Sequence, residues 1–122
     1  MQRDMDLCRA ILLKLEQDQE PNQGQGKIDV EGYSAALISY NIKMLSQAEY
    51  VEALDMSGFN DSDWRAMSLT WKGHEFLDAT RDNGIWRKVK AELKDRATSA
   101  PFALIQQLAM KYVAAQLGLP GV

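Results

Sequence analysis

Two rhythms of apolar and polar residues run along this chain, and each predicts an element type. Over residues 3–17, Met5, Cys8, Ile11, Leu12 and Leu15 recur near 3.6-residue spacing, which predicts a helix with Arg3, Arg9 and Lys14 facing outward. Asp4 and Asp6 in its first turn favour the helix dipole. QDQEPNQGQG, with Pro21, Gly24 and Gly26, ends that helix in a polar surface loop that has no phosphate-binding pattern. KIDVE at residues 27–31 alternates, which predicts a short strand. Helical spacing returns at 34–48. Ser34 is placed to cap it, and Ile38, Ile42 and Leu45 form a stripe widened by Leu37, Met44 and Ala48. Ala35, Ser39, Tyr40, Lys43 and Gln47 are expected on the outward side.

YVEALDM at 50–56 and RAMSLT at 65–70 read as two strands of a hairpin. Between them SGFNDSDW supplies Ser57, Gly58, Asn60, Asp61, Ser62 and Asp63, which are turn formers. Trp64 is either an exposed contact at the hairpin tip or, as is more common for a Trp at a strand start, a cover for the core edge. Thr70 can cap a helix in WKGHEFLDATRDNG, with a break near Asp82-Asn83-Gly84, and IWRKVKAELK continues as helix with Trp86, Val89 and Leu93 inward. Pro101 starts a last helix over about 101–117, which stops at Gly118 before Pro120. Phe102, Ile105, Leu108, Ala109, Tyr112 and Val113 make it broadly apolar, so it needs cover from the rest of the domain or from a second copy of the chain.

The order strand, helix, hairpin from Ile28 to Leu69 is that of a winged helix-turn-helix domain whose first turn helix is shortened or missing. The fold class expected is α+β and mainly helical: a winged helix-turn-helix with a small, three-stranded antiparallel sheet and an added C-terminal helix. Residues 1–96 form the winged-helix domain, and residues 97–122 form a C-terminal helix that packs on it or dimerises.

Composition narrows the function classes. At 122 residues the chain suits one domain with one core. The N-terminus MQRDMDLCRA lacks the apolar stretch of a signal peptide, and no run reaches the roughly 18 apolar residues of a membrane span. One cysteine, Cys8, excludes an internal disulfide and fits a cytoplasmic setting. Net charge is −3, unevenly spread: residues 1–80 carry 7 Lys/Arg against 14 Asp/Glu, and residues 81–96 carry 6 against 3. The helix-turn-helix half is therefore acidic, and the one basic cluster follows it.

Several segments resemble a known family. RDMDLCRAILLKLE, VEGYS, ISYNIKMLSQAEYVEA, LTWKGHEFLDATRDNGIW and the C-terminal helix ending QLGL are similar to a family of small bacterial and prophage proteins known only as a domain of unknown function. LTWKGHEFLDATRDNGIW is the most specific of them. The resemblance implies a winged-helix fold, a bacterial or phage setting and no known enzymatic activity. It brings no ligand and no catalytic residue.

The residues themselves offer little catalysis. His74-Glu75 is the one acid–base couple, and HEFLD lacks the second His of the zinc helix motif. A structural His74 and a buried, inert Cys8 are the readings adopted. No enzyme, no metal site and no cofactor are expected. The preferred reading is a DNA-binding transcriptional regulator acting on double-stranded DNA, and a protein partner is carried forward as the alternative. For DNA, Ser39 is small enough to let the second helix approach the major groove, and Tyr40, Asn41, Lys43 and Gln47 can hydrogen-bond there. Arg87 and Lys88 from the basic stretch would take phosphates. Against this, the hairpin carries Asp55, Asp61 and Asp63 beside a single Arg65. For the alternative, a protein–protein interaction module that has lost DNA binding, the acidic half and the apolar last helix are the features. Phe102, Ile105, Leu108, Ala109 and Tyr112 would carry the packing or a homodimer contact. Membrane association is not expected, because the polar face of the last helix carries a single cation, Lys111, too few for binding to anionic lipid.

Overall fold

A computed structural model describes residues 1–17, 27–96 and 100–119. In chain order these form α1 (Met5–Gln17), α2 (Ala35–Gln47), β1 (Val51–Asp55), β2 (Trp64–Leu69), α3 (Trp71–Thr80), α4 (Asn83–Leu93), a single 3-10 turn (Lys94–Arg96) and α5 (Phe102–Gln116). The class is α+β and mainly helical, with one two-stranded antiparallel sheet among the described residues.

The caps follow the sequence. Asp4 Oδ1 accepts from Leu7 N at the start of α1, Ser34 Oγ from Leu37 N at α2, Thr70 Oγ1 from Gly73 N at α3 and Asp82 Oδ1 from Ile85 N at α4. Each satisfies an amide that the helix cannot pair internally.

α1 lies at the centre. Its apolar face buries Met5, Leu7, Cys8, Ile11, Leu12 and Leu15. On one side it meets α2 through Asn41, which is fully buried. Asn41 Oδ1 accepts from Asp4 N (2.9 Å) and from Cys8 Sγ (3.4 Å), and its Nδ2 donates to Leu37 O (2.9 Å). On the other side α1 meets α4. Asp6 accepts from Trp86 Nε1 (2.8 Å) and Lys90 Nζ (3.0 Å). Arg9 was expected to face outward. Instead it is half-buried, stacks 5.2 Å from the Trp86 ring centroid and donates to the Thr80 and Arg81 carbonyls at the end of α3.

α5 packs on α3 and α4. Its Ile105 and Ala109 are buried, while Phe102, Leu108 and Tyr112 are half-buried against the same core. All five of these residues therefore touch the chain's own core. Tyr50, Phe76 and Phe102 form one aromatic cluster, with ring centroids 4.8–5.8 Å apart. Phe102 thus joins α5 to the hairpin and to α3.

One element differs from expectation. Residues 27–31 form no strand: 27–30 carry no regular structure and a turn follows at 31–32. Ile28 and Val30 do pack on the core, which accounts for the alternation. A strand also needs backbone partners. At the start of β2, the Trp64 amide instead donates to the Ser39 hydroxyl (2.8 Å), and Tyr33 N turns back to Val30 O (3.2 Å). Among the described residues the sheet accordingly has two strands rather than three. The loop expected at 17–26 and the helix start at Thr98-Ser99 lie largely outside the described residues.

Candidate functional site

The hairpin carries the most exposed aromatic side chain of the described residues. β1 and β2 pair with Val51 opposite Leu69 and Asp55 opposite Trp64, with an irregularity between Glu52 and Ala53. Side chains alternate along a strand, so Val51 and Ala53 turn to the core while Leu54 and Met56 turn away from it. Leu54 and Met56 are 50% and 51% exposed.

The connecting segment is tied down by its own polar groups. Asp55 Oδ1 accepts from Ser57 N (2.9 Å), Asp61 Oδ1 from Gly58 N (2.9 Å) and Ser57 Oγ from Asp63 N (3.0 Å). Met56 N donates to Asp63 O (2.8 Å) and closes the hairpin. Arg65 pairs with Asp63 at 3.1 Å. The carboxyl of Asp55 is held below its ordinary range first by Ser57 and in smaller part by the field of Lys43 on α2. Arg65, more than any other group, does the same for Asp63. Out of this pinned segment stands Phe59, fully exposed. From Glu52 to Asp63 the chain has four carboxylates and no Lys or Arg. The tip is therefore at once apolar and acidic.

The residues expected to touch DNA or a partner do not form one surface. Ser39 is buried, not outward; its Oγ is taken by Trp64 N and lies 3.3 Å from Ser62 Oγ. Asn41, offered as a groove contact, is spent on α1. Tyr40 and Lys43 are half-buried on α2, and Gln47 is exposed at its end. Arg87 and Lys88 are exposed on α4, and Lys88 Nζ lies 5.6 Å from the Tyr112 ring centroid. α2 packs on α1, β1 and β2, whereas α4 packs on α3 and α5. α1 thus stands between the two halves of the expected contact set.

Two of the basic stretch's charges are engaged structurally. Lys90 pairs with Asp6, and Arg81 pairs with Glu16 and Asp78. Trp64 is half-buried and covers the core edge. His74 and Glu75 are both exposed. Cys8 is buried and its thiol is pushed up to about 12, first by burial and then by Asp4. Among the described residues no group of three or more His, Cys, Asp or Glu could hold a metal ion, and no helix is long and apolar enough to cross a membrane.

Leu54, Met56 and Phe59 are exposed apolar residues that sequence reasoning passed over; Trp71 at the start of α3 is another. Phe59 did carry a signal. It is an aromatic set among turn formers, with no periodicity to bury it.

Comparison with known proteins gives a family and no activity. A family profile described as a hypothetical protein, DUF2513, matches residues 2–99. A protein of Haemophilus influenzae (strain ATCC 51907 / DSM 11121 / KW20 / Rd), described as an uncharacterized protein, is 34% identical over 117 residues, which is 96% of this chain and 99% of the relative. No solved structure gives a significant match.

Proposed function

The chain belongs to the DUF2513 family of hypothetical proteins, and from that premise we propose that it is a winged-helix interaction module that grips a protein partner through its hairpin. The winged-helix reading is supported by the order α1, α2, β1, β2 and by α2 packing on both strands. The segment 27–30, which forms no strand, occupies the chain position of that fold's first strand. Residues 1–96 are the winged-helix unit, and the family match over 2–99 fits its extent. Residues 97–122 supply the helix that closes its core. A bacterial or phage setting fits the Haemophilus relative, and a cytoplasmic one fits the single buried thiol. The reading assigns no catalytic step.

One observation carries the partner class: Phe59 is held fully exposed by a pinned, acidic turn. Phosphate contacts dominate DNA affinity, and this hairpin has carboxylates where a DNA-binding wing needs cations. An aromatic anchor in an interface contributes a large share of binding energy, about 1.5–3 kcal/mol for burying one Phe. The complementary partner has an apolar pocket with a basic rim. A second reading, DNA binding as a regulator, is favoured by the exposed Arg87, Lys88, Lys94 and Arg96 on and after α4.

Placing a photo-crosslinking benzoylphenylalanine at position 59, with a control at Gln107, tests the reading in bacterial cells. The expected result is a discrete protein adduct at 59 that disappears when Leu54 and Met56 are changed to Ser. In parallel, anisotropy of labelled random duplex at low and raised salt should show no salt-sensitive binding. The absence of a position-59 adduct, together with salt-sensitive duplex binding that is lost in Arg87→Glu/Lys88→Glu, would overturn it in favour of DNA.

A further inference from the structure

A second feature lies away from the hairpin tip. Between the N-terminus of α1, the end of α2 and the start of α5 there is a pocket of ≈ 230 Å³. Cys8, Leu45, Tyr50 and Phe102 contribute its apolar wall, and three of these four are buried core residues. Its charged lining residues are Arg3 and Lys72, and no Asp or Glu lines it. That is unusual in a half of the chain where carboxylates outnumber cations 14 to 7.

The two cations differ in what holds them. Lys72 has structural work: its Nζ donates to Ala48 O at the end of α2 (3.2 Å) and lies 4.6 Å from the Tyr50 ring centroid. That fixes its charge at the pocket. Arg3 is exposed, and among the described residues it makes no hydrogen bond and no ion pair. Packing does not require a guanidinium there. The pocket is larger than the roughly 150 Å³ apolar cavity that suffices to bind benzene, which leaves room for a ring and a carboxylate. An apolar wall with a few charged groups at its rim is the usual make-up of a small-molecule site.

We propose that this pocket binds a small organic anion with a flat apolar body, of the aromatic carboxylate class, the ring lying against Tyr50 and Phe102 and the carboxylate between Arg3 and Lys72. The site is independent of the hairpin surface. A ligand here touches α1, α2, α3 and α5 together and would tighten their packing.

The test is a titration of the full, isotope-labelled chain with sodium benzoate, followed by amide shifts in two-dimensional NMR spectra, with benzyl alcohol as the neutral probe of the same shape. Saturable shifts are expected at Arg3, Tyr50, Lys72 and Phe102. Benzyl alcohol should bind at least about tenfold more weakly, because its hydroxyl can accept a hydrogen bond but carries no charge to pair with Arg3 and Lys72. Arg3→Gln/Lys72→Gln should weaken benzoate by at least about the same factor. If the double variant loses its dispersed spectrum, Arg3→Gln alone decides, since Arg3 holds nothing in the fold, and a several-fold loss is expected. Shifts that never saturate, equal binding of benzyl alcohol, or unchanged affinity in the folded variant would each overturn the proposal.

Discussion

Replacing Gly73 by Ala separates what helix propensity asks from what packing allows. Gly73 is buried in the first turn of α3. A Cβ there would stand 2.2 Å from Tyr50 O and 3.3 Å from Leu69 Cδ2. An ordinary carbon–oxygen contact is about 3.3 Å, so helix and strand must part by about 1 Å. The obstacle is backbone, and it is fixed twice over. Tyr50 O accepts from Thr70 N (3.2 Å), and the Tyr50 ring sits against Phe76 and Phe102. Forced overpacking of this kind costs about 1–3 kcal/mol, and the strained Thr70 bond adds about 1. Ala gains up to about 1 kcal/mol over Gly from helix propensity and the stiffer unfolded chain. The net expectation for Gly73→Ala is a loss of about 2 kcal/mol. For a chain of this size that lowers Tm by about 6–10 °C, read from circular dichroism at the helix band. Gly84→Ala is the control, because its Cβ would meet only the Asp82 Oδ1 at 3.1 Å, and it should stay within about 0.5 kcal/mol of the parent. A Gly73→Ala protein as stable as the parent, or more stable, would refute the close seating of α3 on the Tyr50 carbonyl.

Two further outcomes follow from titratable groups. Cys8 is buried with its thiol pushed up to about 12, so at pH 8 the native protein should resist a thiol-reactive disulfide reagent and react only on unfolding in urea; fast labelling of the native form would contradict the burial. Glu16 is held below its ordinary 4.5, chiefly by its hydrogen bond with Arg81, so its contribution is present above that value and is lost as pH falls through the lowered one. Both partners are partly exposed, so the effect is at most about 1 kcal/mol, and Glu16→Gln should flatten the acid limb of the stability curve below pH 4.5 without altering the alkaline limb.

The helices were legible because their signals are local. Ser34, Thr70 and Asp82 each cap within three residues of themselves, and the Asp82-Asn83-Gly84 break needs no distant partner. What failed depends on residues far away in sequence. KIDVE has the alternation of a strand, yet pairing is decided by β2, whose first amide is already taken by Ser39. Ser39 and Asn41 are polar and sit beside the apolar stripe of α2, so periodicity alone places them toward solvent. Their partners, Trp64 at 25 residues' distance and Asp4 at 37, bring them inside. Arg9 was misplaced for the same reason, since the carbonyls it satisfies lie more than 70 residues away. The expected binding surface had the corresponding fault: it gathered helix residues by character and could not know that α1 would separate α2 from α4.

These misplacements bear on function. A DNA-reading α2 would need its polar residues free on the outside, with cations flanking them. Here two of those polar residues are structural ties, Lys43 lies in the field of Asp55, and the nearest strongly basic face belongs to a helix across α1. The hairpin goes the other way. Its polar groups are consumed in fixing the turn, while Leu54 and Met56 are half exposed and Phe59 is fully so. A turn that needed only to connect two strands could do so with Ser, Asn or Lys at position 59, because no neighbour covers that side chain. Phe59 contributes nothing to this fold; on the proposed reading, its exposed ring beside Leu54 and Met56 is the anchor that a partner's apolar pocket would take.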